Sequence, residues 1–202
     1  MFEGDTIKKY NVNPQRGYPG QKELMNVLME NGIEVYIISA AHEELVRMFA
    51  SDPKYGYNVK PQNVIGVTTL LKDRKTGALT TARKQIIEGK YDPIKNMAME
   101  LTPYLWTPNT WMAGKYAAIL TYIDEWKKPI LAAGDTPTSD GYMLFHGVDV
   151  EKGGIHLWVN RKDEHMTTIT NMMNEHAARQ KALGLPVTAD KNWVIVKPAE
   201  LE

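Results

Sequence analysis

Two carboxylates, Asp135 and Asp140, stand five positions apart in the loop GDTPTSD, with the hydroxyls of Thr136, Thr138 and Ser139 between them. The loop follows a short apolar run, Ile130 to Ala133, that reads as a buried strand. In open α/β sheets ligands bind outside the carboxyl ends of the strands. Paired carboxylates there suit a hard cation such as Mg²⁺, which takes oxygen ligands and keeps several waters. Gly134 lets the chain turn sharply after the strand, and a helix is expected to begin after Asp140. The same residues also read as a polar turn with a helix N-cap at Ser139 or Asp140; taken alone, the stretch leaves both readings open. Two further groups stand at comparable places. Ser39 ends the apolar run Ile33 to Ser39, and Lys115 lies early in the helix expected after Trp111. A hydroxyl, an ammonium and a carboxylate pair at strand ends could surround a phosphate and its metal. The hydroxyl donates to a phosphoryl oxygen, the lysine neutralises developing charge, and Mg²⁺ bridges enzyme and substrate.

The elements that must position these groups follow from hydrophobic spacing. In QKELMNVLMENG, Leu24, Val27 and Leu28 share a helical face, and Gly32 stops the helix. Ile33 to Ser39 is nearly continuously apolar, as expected of a parallel strand covered on both faces. AAHEELVRMFASD is a second helix with Leu45, Val46 and Phe49 inward. Residues 54–109 break this rhythm and read as an insert, with a β-hairpin around Lys75 to Gly77 and, from Lys84 to Asn109, loop plus a short helix. Ala118, Ile119, Tyr122 and Ile123 then form a helical stripe before the strand 130–133. GIHLWVN is a further strand. DEHMTTITNMMNEHAARQKAL is a long helix with Met166, Ile169, Met173 and Ala177 on one face, and Asn192 to Val196 is a last edge strand. This is an α/β arrangement.

The totals exclude several classes. The 202 residues suit one α/β domain. Lys+Arg of 24 balances Asp+Glu of 24, so no basic excess points to a nucleic-acid partner. The chain has no cysteine, which removes disulfides, thiolate zinc sites and a cysteine nucleophile. No apolar run approaches the ~20 residues of a membrane span, so no membrane partner is expected. The start, MFEGDTIKKY, lacks the apolar core of a signal peptide.

A strand ending in Ser39, a downstream Lys115 and a strand followed by GDTPTSD resemble, in order and rough spacing, the second, third and fourth motifs of the haloacid dehalogenase-like hydrolases. More narrowly, YIISAAHEELVR together with GDTPTSDGYMLF is similar to the bacterial phosphorylcholine phosphatase family within that superfamily. The resemblance runs from about Pro19 to Asn160. It implies a three-layer, mostly parallel Rossmann-like core and a Mg²⁺-dependent phosphomonoesterase with phosphorylcholine as first substrate. By the same resemblance Ser39, with Ala40 beside it, binds the phosphoryl group, Lys115 stabilises it, Asp135 ligates Mg²⁺, and Asp140 supports the metal. Members of this type are typically exported, which implies a periplasmic setting.

The chain departs from the family at its first motif, Asp-x-Asp-x-Thr, whose first Asp is the nucleophile. No Asp-x-Asp occurs anywhere in these residues. Asp5-Thr6 lacks a preceding apolar strand, and Asp149-Val150-Glu151 is in the wrong place. The chain is therefore expected to be an N-terminally incomplete domain without its central strand and inactive alone. The alternative is a non-catalytic remnant that binds phosphate, metal or a partner chain. A gap in the sheet would leave backbone groups exposed and favour self-association or complementation. Tyr104, Trp106 and Trp111 are candidates for a choline pocket through cation–π attraction, weighed against packing of their loop on the body. His42 could approach the phosphate or simply sit on an exposed helical turn. His146, His156, His165 and His176 have no metal-ligand spacing and read as structural, and Arg161-Lys162 reads as a solvated loop.

Overall fold

The computed structural model describes residues 16–202 and, as backbone pairing only, an antiparallel ladder between β1 (Phe2–Glu3) and β2 (Thr6–Ile7). Most of the expected connection over residues 1–19, Asp5 included, lies outside the described residues.

Helix α1 (Pro19–Glu30) starts on a proline, whose fixed φ and missing N–H suit the first helical turn. It has no fully buried residue; Met25 packs inward, while Val27, expected on the inner face, is exposed. Strand β3 (Ile37–His42) follows and pairs in parallel with β4 (Val64–Val67), Ile37 opposite Val64 and Ile38 opposite Ile65. β3 therefore begins four residues later than its apolar run and continues through Ala40 and Ala41 to His42. Nor is it a buried strand: Ile37 to Ser39 are half-buried and the last three residues exposed. The physical reason is its position. β4 covers one edge, and among the described residues no strand covers the other.

Helix α2 (Glu43–Ala50) connects β3 to β4. Val46 and Phe49 pack inward, with Ala50, Tyr57, Val59 and Val64, but Leu45 faces solvent. The inner face is shared with an ionic group instead. Glu43 is fully buried; it accepts hydrogen bonds from Arg47 at 2.7 Å and from the Gly66 amide at 3.0 Å, and the Arg83 Nε lies 3.2 Å away. Because β4 belongs to the parallel sheet, the α/β rhythm runs past residue 54 to Val67.

Beyond it, β5 (Thr69–Lys72), β6 (Leu79–Thr80) and β7 (Glu100–Leu105) form an antiparallel sheet in the order β6-β5-β7. The Asp73 carboxylate accepts from the Lys75 and Thr76 amides and shapes the turn between β5 and β6. Helices α3 (Ala82–Ile87) and α4 (Pro93–Met97) lie between β6 and β7, joined by paired Gln85–Asn96 amide hydrogen bonds of 2.9 and 2.7 Å. The segment expected as loop plus short helix thus contains a strand. Its Pro103 concealed it, since proline is tolerated only where a sheet edge leaves an N–H unneeded, and β7 is an edge strand. Arg83 carries the insert back to the body: its guanidinium lies 3.9 Å from the centre of the Tyr122 ring.

The second half alternates regularly: α5 (Ala113–Tyr122), β8 (Leu131–Gly134), α6 (Pro137–Gly147), β9 (Ile155–Val159), α7 (Asp163–Ala182) and β10 (Trp193–Val196). The three strands are parallel in the order β10-β9-β8, with Gly134 opposite Trp158. Their core contains Ile119, Leu144, Phe145, Trp158 and Ile169, with Met166, Met173 and Ala177 of α7 packed against it as their spacing requires. Asp163 and Glu164 in the first turn of α7, and Arg179 and Lys181 in its last, complement the helix dipole. Ile38 of β3 also packs on this core. The architecture is α/β with parallel and antiparallel sheets, compatible with a Rossmann-like core. Among the described residues no helix is long and apolar enough to cross a membrane.

Candidate active site

The carboxyl end of β8 gathers the charged groups. Helix α6 begins at Pro137 with Thr136 at the N-cap position, four residues earlier than expected, so Asp140 lies inside its first turn. From there its side chain turns back toward the strand. Oδ2 accepts from the backbone N–H groups of Asp135 at 2.8 Å and Thr136 at 2.9 Å, while Oδ1 accepts from Lys115 Nζ at 2.6 Å. The two side chains are only 11% (Lys115) and 5% (Asp140) exposed, so this is a buried ion pair in which both carboxylate oxygens are hydrogen-bonded. Gly134 serves this arrangement by its lack of a Cβ rather than by a special φ. A Cβ there would fall 2.6 Å from Asp140 Cβ and 2.9 Å from its Oδ2.

Lys115 reaches Asp140 because of how α5 begins. Gly114 donates to the Trp111 carbonyl and Lys115 to that of Met112, and Met112 takes φ +52°, a conformation uncommon outside glycine. A Cβ on Gly114 would lie 1.6 Å from the Asn109 carbonyl oxygen, so the turn from Asn109 to Gly114 accepts no side chain there.

Asp135 is the more open carboxylate, 39% exposed as a side chain. Thr136 Oγ1 donates to its Oδ1 at 2.7 Å. Arg161 holds both its oxygens, Nε at 2.8 Å from Oδ2 and Nη2 at 3.1 Å from Oδ1, and Nη2 also donates to Thr136 Oγ1 at 3.0 Å. His165 Nδ1 is 3.1 Å from the Asp135 carbonyl, which can only accept, so that nitrogen carries the hydrogen.

Ser39 is the third residue of β3, just past the regular pair of Ile38 with Ile65 rather than at the end of the strand. Its Oγ accepts from the Ala41 N–H at 3.1 Å, and its carbonyl accepts from the Thr110 hydroxyl. Ala40 beside it is exposed. Thr110 therefore ties β3 to the turn that starts α5. Among the described residues no hydrogen bond links Ser39 or Ala40 directly to Lys115, Asp135 or Asp140. Trp106 donates its backbone N–H to Thr68, and Trp111 its own to Asn109. Both indoles are partly exposed, Tyr104 more so, and neither indole stacks on another ring among the described residues. His42 sits exposed at the N-cap position of α2.

Of the expected residues, the fold brings Lys115, Asp135 and Asp140 into one network. Two members of that network went unrecognised in the sequence: Arg161, read as a solvated loop, and His165, read as structural. The signal for Arg161 was parallel register, since pairing β8 with β9 puts the residues after Val159 beside those after Gly134.

No family model matches the chain. Over 201 residues, all of its length, it is 67% identical to the phosphorylcholine phosphatase of Pseudomonas aeruginosa. The chain is a homologue of phosphorylcholine phosphatase. The resemblance to phosphorylcholine phosphatase is thereby borne out. The chain spans 57% of the phosphatase's length. Among solved structures, a conserved protein of unknown function from Anaerococcus prevotii superposes on 78% of this chain and 34% of its own, with a TM-score of 0.50 and 26% identity.

The donor set fits a hard cation in part. Asp135 offers an exposed carboxylate at a strand end, where its present partner is exchangeable. Asp140 has both oxygens engaged by Lys115 and two amides. Among the described residues no group of three acidic or histidine side chains converges as a cation cage.

Proposed function

We propose that this chain carries the phosphoryl-binding and charge-neutralising part of a Mg²⁺-dependent phosphomonoesterase site of the haloacid dehalogenase type, with phosphorylcholine as substrate. The 67% identity to a phosphorylcholine phosphatase is the observation that carries this reading. In it, Ser39 donates its hydroxyl, and Ala40 its neighbouring backbone, to phosphoryl oxygens. Lys115 supplies a fixed positive charge, aimed by Asp140, so that no reorganisation is needed as charge develops. Asp135 is the ligand this chain contributes to Mg²⁺, and the remaining ligands come from water and from residues outside the described ones. Mg²⁺, when bound, neutralises phosphoryl oxygens and bridges them to the protein. Asp140 is assigned the orientation of Lys115 and the metal loop, rather than direct ligation. Trp106 and Trp111, both partly exposed, are available to face a trimethylammonium group.

The nucleophile is assigned to a segment other than these residues, because they contain no Asp-x-Asp. The edges of β3 and β8 that no strand covers among the described residues are where a central strand carrying it would pair. Those same open edges favour a second reading, in which the chain alone binds phosphate, metal or another chain and turns nothing over. The test is hydrolysis of phosphorylcholine and p-nitrophenyl phosphate with Mg²⁺, for the chain and its Asp135→Ala variant, with and without an added segment bearing an Asp-x-Asp strand. Activity that needs both the segment and Asp135 is expected. Activity without the segment refutes the assignment of the nucleophile elsewhere. Silence in every combination, with the fold intact by circular dichroism, leaves the binding reading.

A further inference from the structure

The bidentate grip of Arg161 on Asp135 has a second side. Arg161 sits one residue past Asn160, at the carboxyl end of β9, and also lines an open cavity of about 450 Å³ whose wall includes Asp163 and Lys197. Its guanidinium thus has a carboxylate on the strand side and another, Asp163, lining the cavity beside it. The Asp135 pair is half-exposed, 39% and 43%, so it is held loosely enough to be exchanged. A guanidinium on both oxygens of a carboxylate occupies the same lone pairs a divalent cation would use.

We propose that Arg161 is a positioning residue that acts as a built-in competing counter-ion for Asp135. It neutralises and orients the carboxylate when no cation is present, and swings into the adjacent cavity toward Asp163 when one binds. The inference rests on the reading of Asp135 as a cation ligand. It concerns the cation affinity of the site and predicts that Arg161 lowers it. Thr136 is the pivot: its hydroxyl donates to Asp135 and accepts from Arg161, so release of the arginine leaves the threonine bonded to the carboxylate and keeps the loop in register.

The experiment is Mg²⁺ titration by calorimetry of the full chain, Arg161→Gln and Asp135→Asn, with ¹⁵N detection of the Arg161 Nε–H in the unsubstituted chain as a readout independent of any substitution. Removing a competing exposed ion pair should tighten Mg²⁺ binding about fivefold in Arg161→Gln, near the upper end of what such a pair contributes. In the unsubstituted chain, Mg²⁺ should shift the Arg161 Nε–H resonance. Equal or weaker binding in Arg161→Gln, or an unmoved Nε–H signal at saturating Mg²⁺, overturns the competing role and leaves Asp135 as a ligand. Binding that is unchanged by Asp135→Asn overturns the ligand reading itself and the competing role with it; binding absent from every variant overturns the competing role of Arg161 in this chain.

Discussion

Replacing Asp140 with Asn removes one charge and almost no volume, and the sign of its effect on stability separates two roles for the residue. In the structure, Asp140 accepts from Lys115 Nζ and from two amides, and both partners of the ion pair are at most about one-tenth exposed. Removing one partner of a buried pair costs about 3–5 kcal/mol, because the other charge is left without a counter-ion. Asn keeps one oxygen for the Asp135 and Thr136 amides and turns its NH₂ toward Lys115. The loss should therefore lie near the lower end, about 3 kcal/mol, which for a chain of this size is a fall in Tm of about 6–12 °C. The assay is urea denaturation followed by tryptophan fluorescence without added metal, run as a cycle with Lys115→Met. The coupling between the two sites should be about 2 kcal/mol. If Asp140 were instead a ligand poised beside Asp135 for a cation, neutralising it in metal-free protein would relieve like-charge repulsion and leave stability equal or higher. A stability loss under 1 kcal/mol, or a coupling near zero, refutes the account of Asp140 given above.

Two further outcomes follow from packing and burial. Gly134→Ala would bring a methyl within 2.6 Å of Asp140 Cβ, which its three hydrogen bonds prevent from yielding; a destabilisation of about 1–3 kcal/mol, read as a lower urea midpoint at unchanged slope, is expected. His156 is fully buried, stacks on Trp193 at 4.4 Å and donates from Nδ1 to the Lys191 carbonyl, and burial pushes its pKa below the usual histidine value. The unfolded chain then binds the extra proton first. Stability should be level above about pH 6.5 and fall as pH drops from there to the folded-state pKa, with a slope of up to about 1.4 kcal/mol per pH unit from this group. Chemical denaturation at a series of pH values checks it, and a profile whose slope between pH 6.5 and 5 is the same in His156→Gln would refute it.

The parts of the fold legible in the sequence were those with one strong local signal. The runs at Leu131–Gly134, Ile155–Val159 and Trp193–Val196, and the stripe through Met166, Ile169 and Met173, became strands and a helix close to the expected bounds. What stayed hidden depended on neighbours distant in sequence. β3 shifted by four residues because its pairing with β4, rather than its own apolar run, sets where it begins. Glu43 has the composition of a solvent-facing helical residue; only the approach of Arg47, Arg83 and the Gly66 amide makes its burial tolerable. The candidate site divides the same way. Residue types and order pointed to Lys115, Asp135 and Asp140, but no spacing rule could tell that Asp140 folds back onto Lys115 while Asp135 faces Arg161.

The separation of the two parallel sheets bears on how the molecule breathes. Along a parallel strand, successive backbone amides point to alternate sides, so about half of those in β3, and half of those in β8, face no partner strand among the described residues. In an ordinary α/β sheet the middle strands exchange their amide hydrogens last, since opening them requires the whole domain to unfold. By the same rule β9, flanked by β8 and β10, should exchange slowest in its sheet, and β3 and β8, each with one edge uncovered among the described residues, should exchange through smaller local openings. The stretches that hold Ser39 and the Asp135 loop should thereby open more readily than β9.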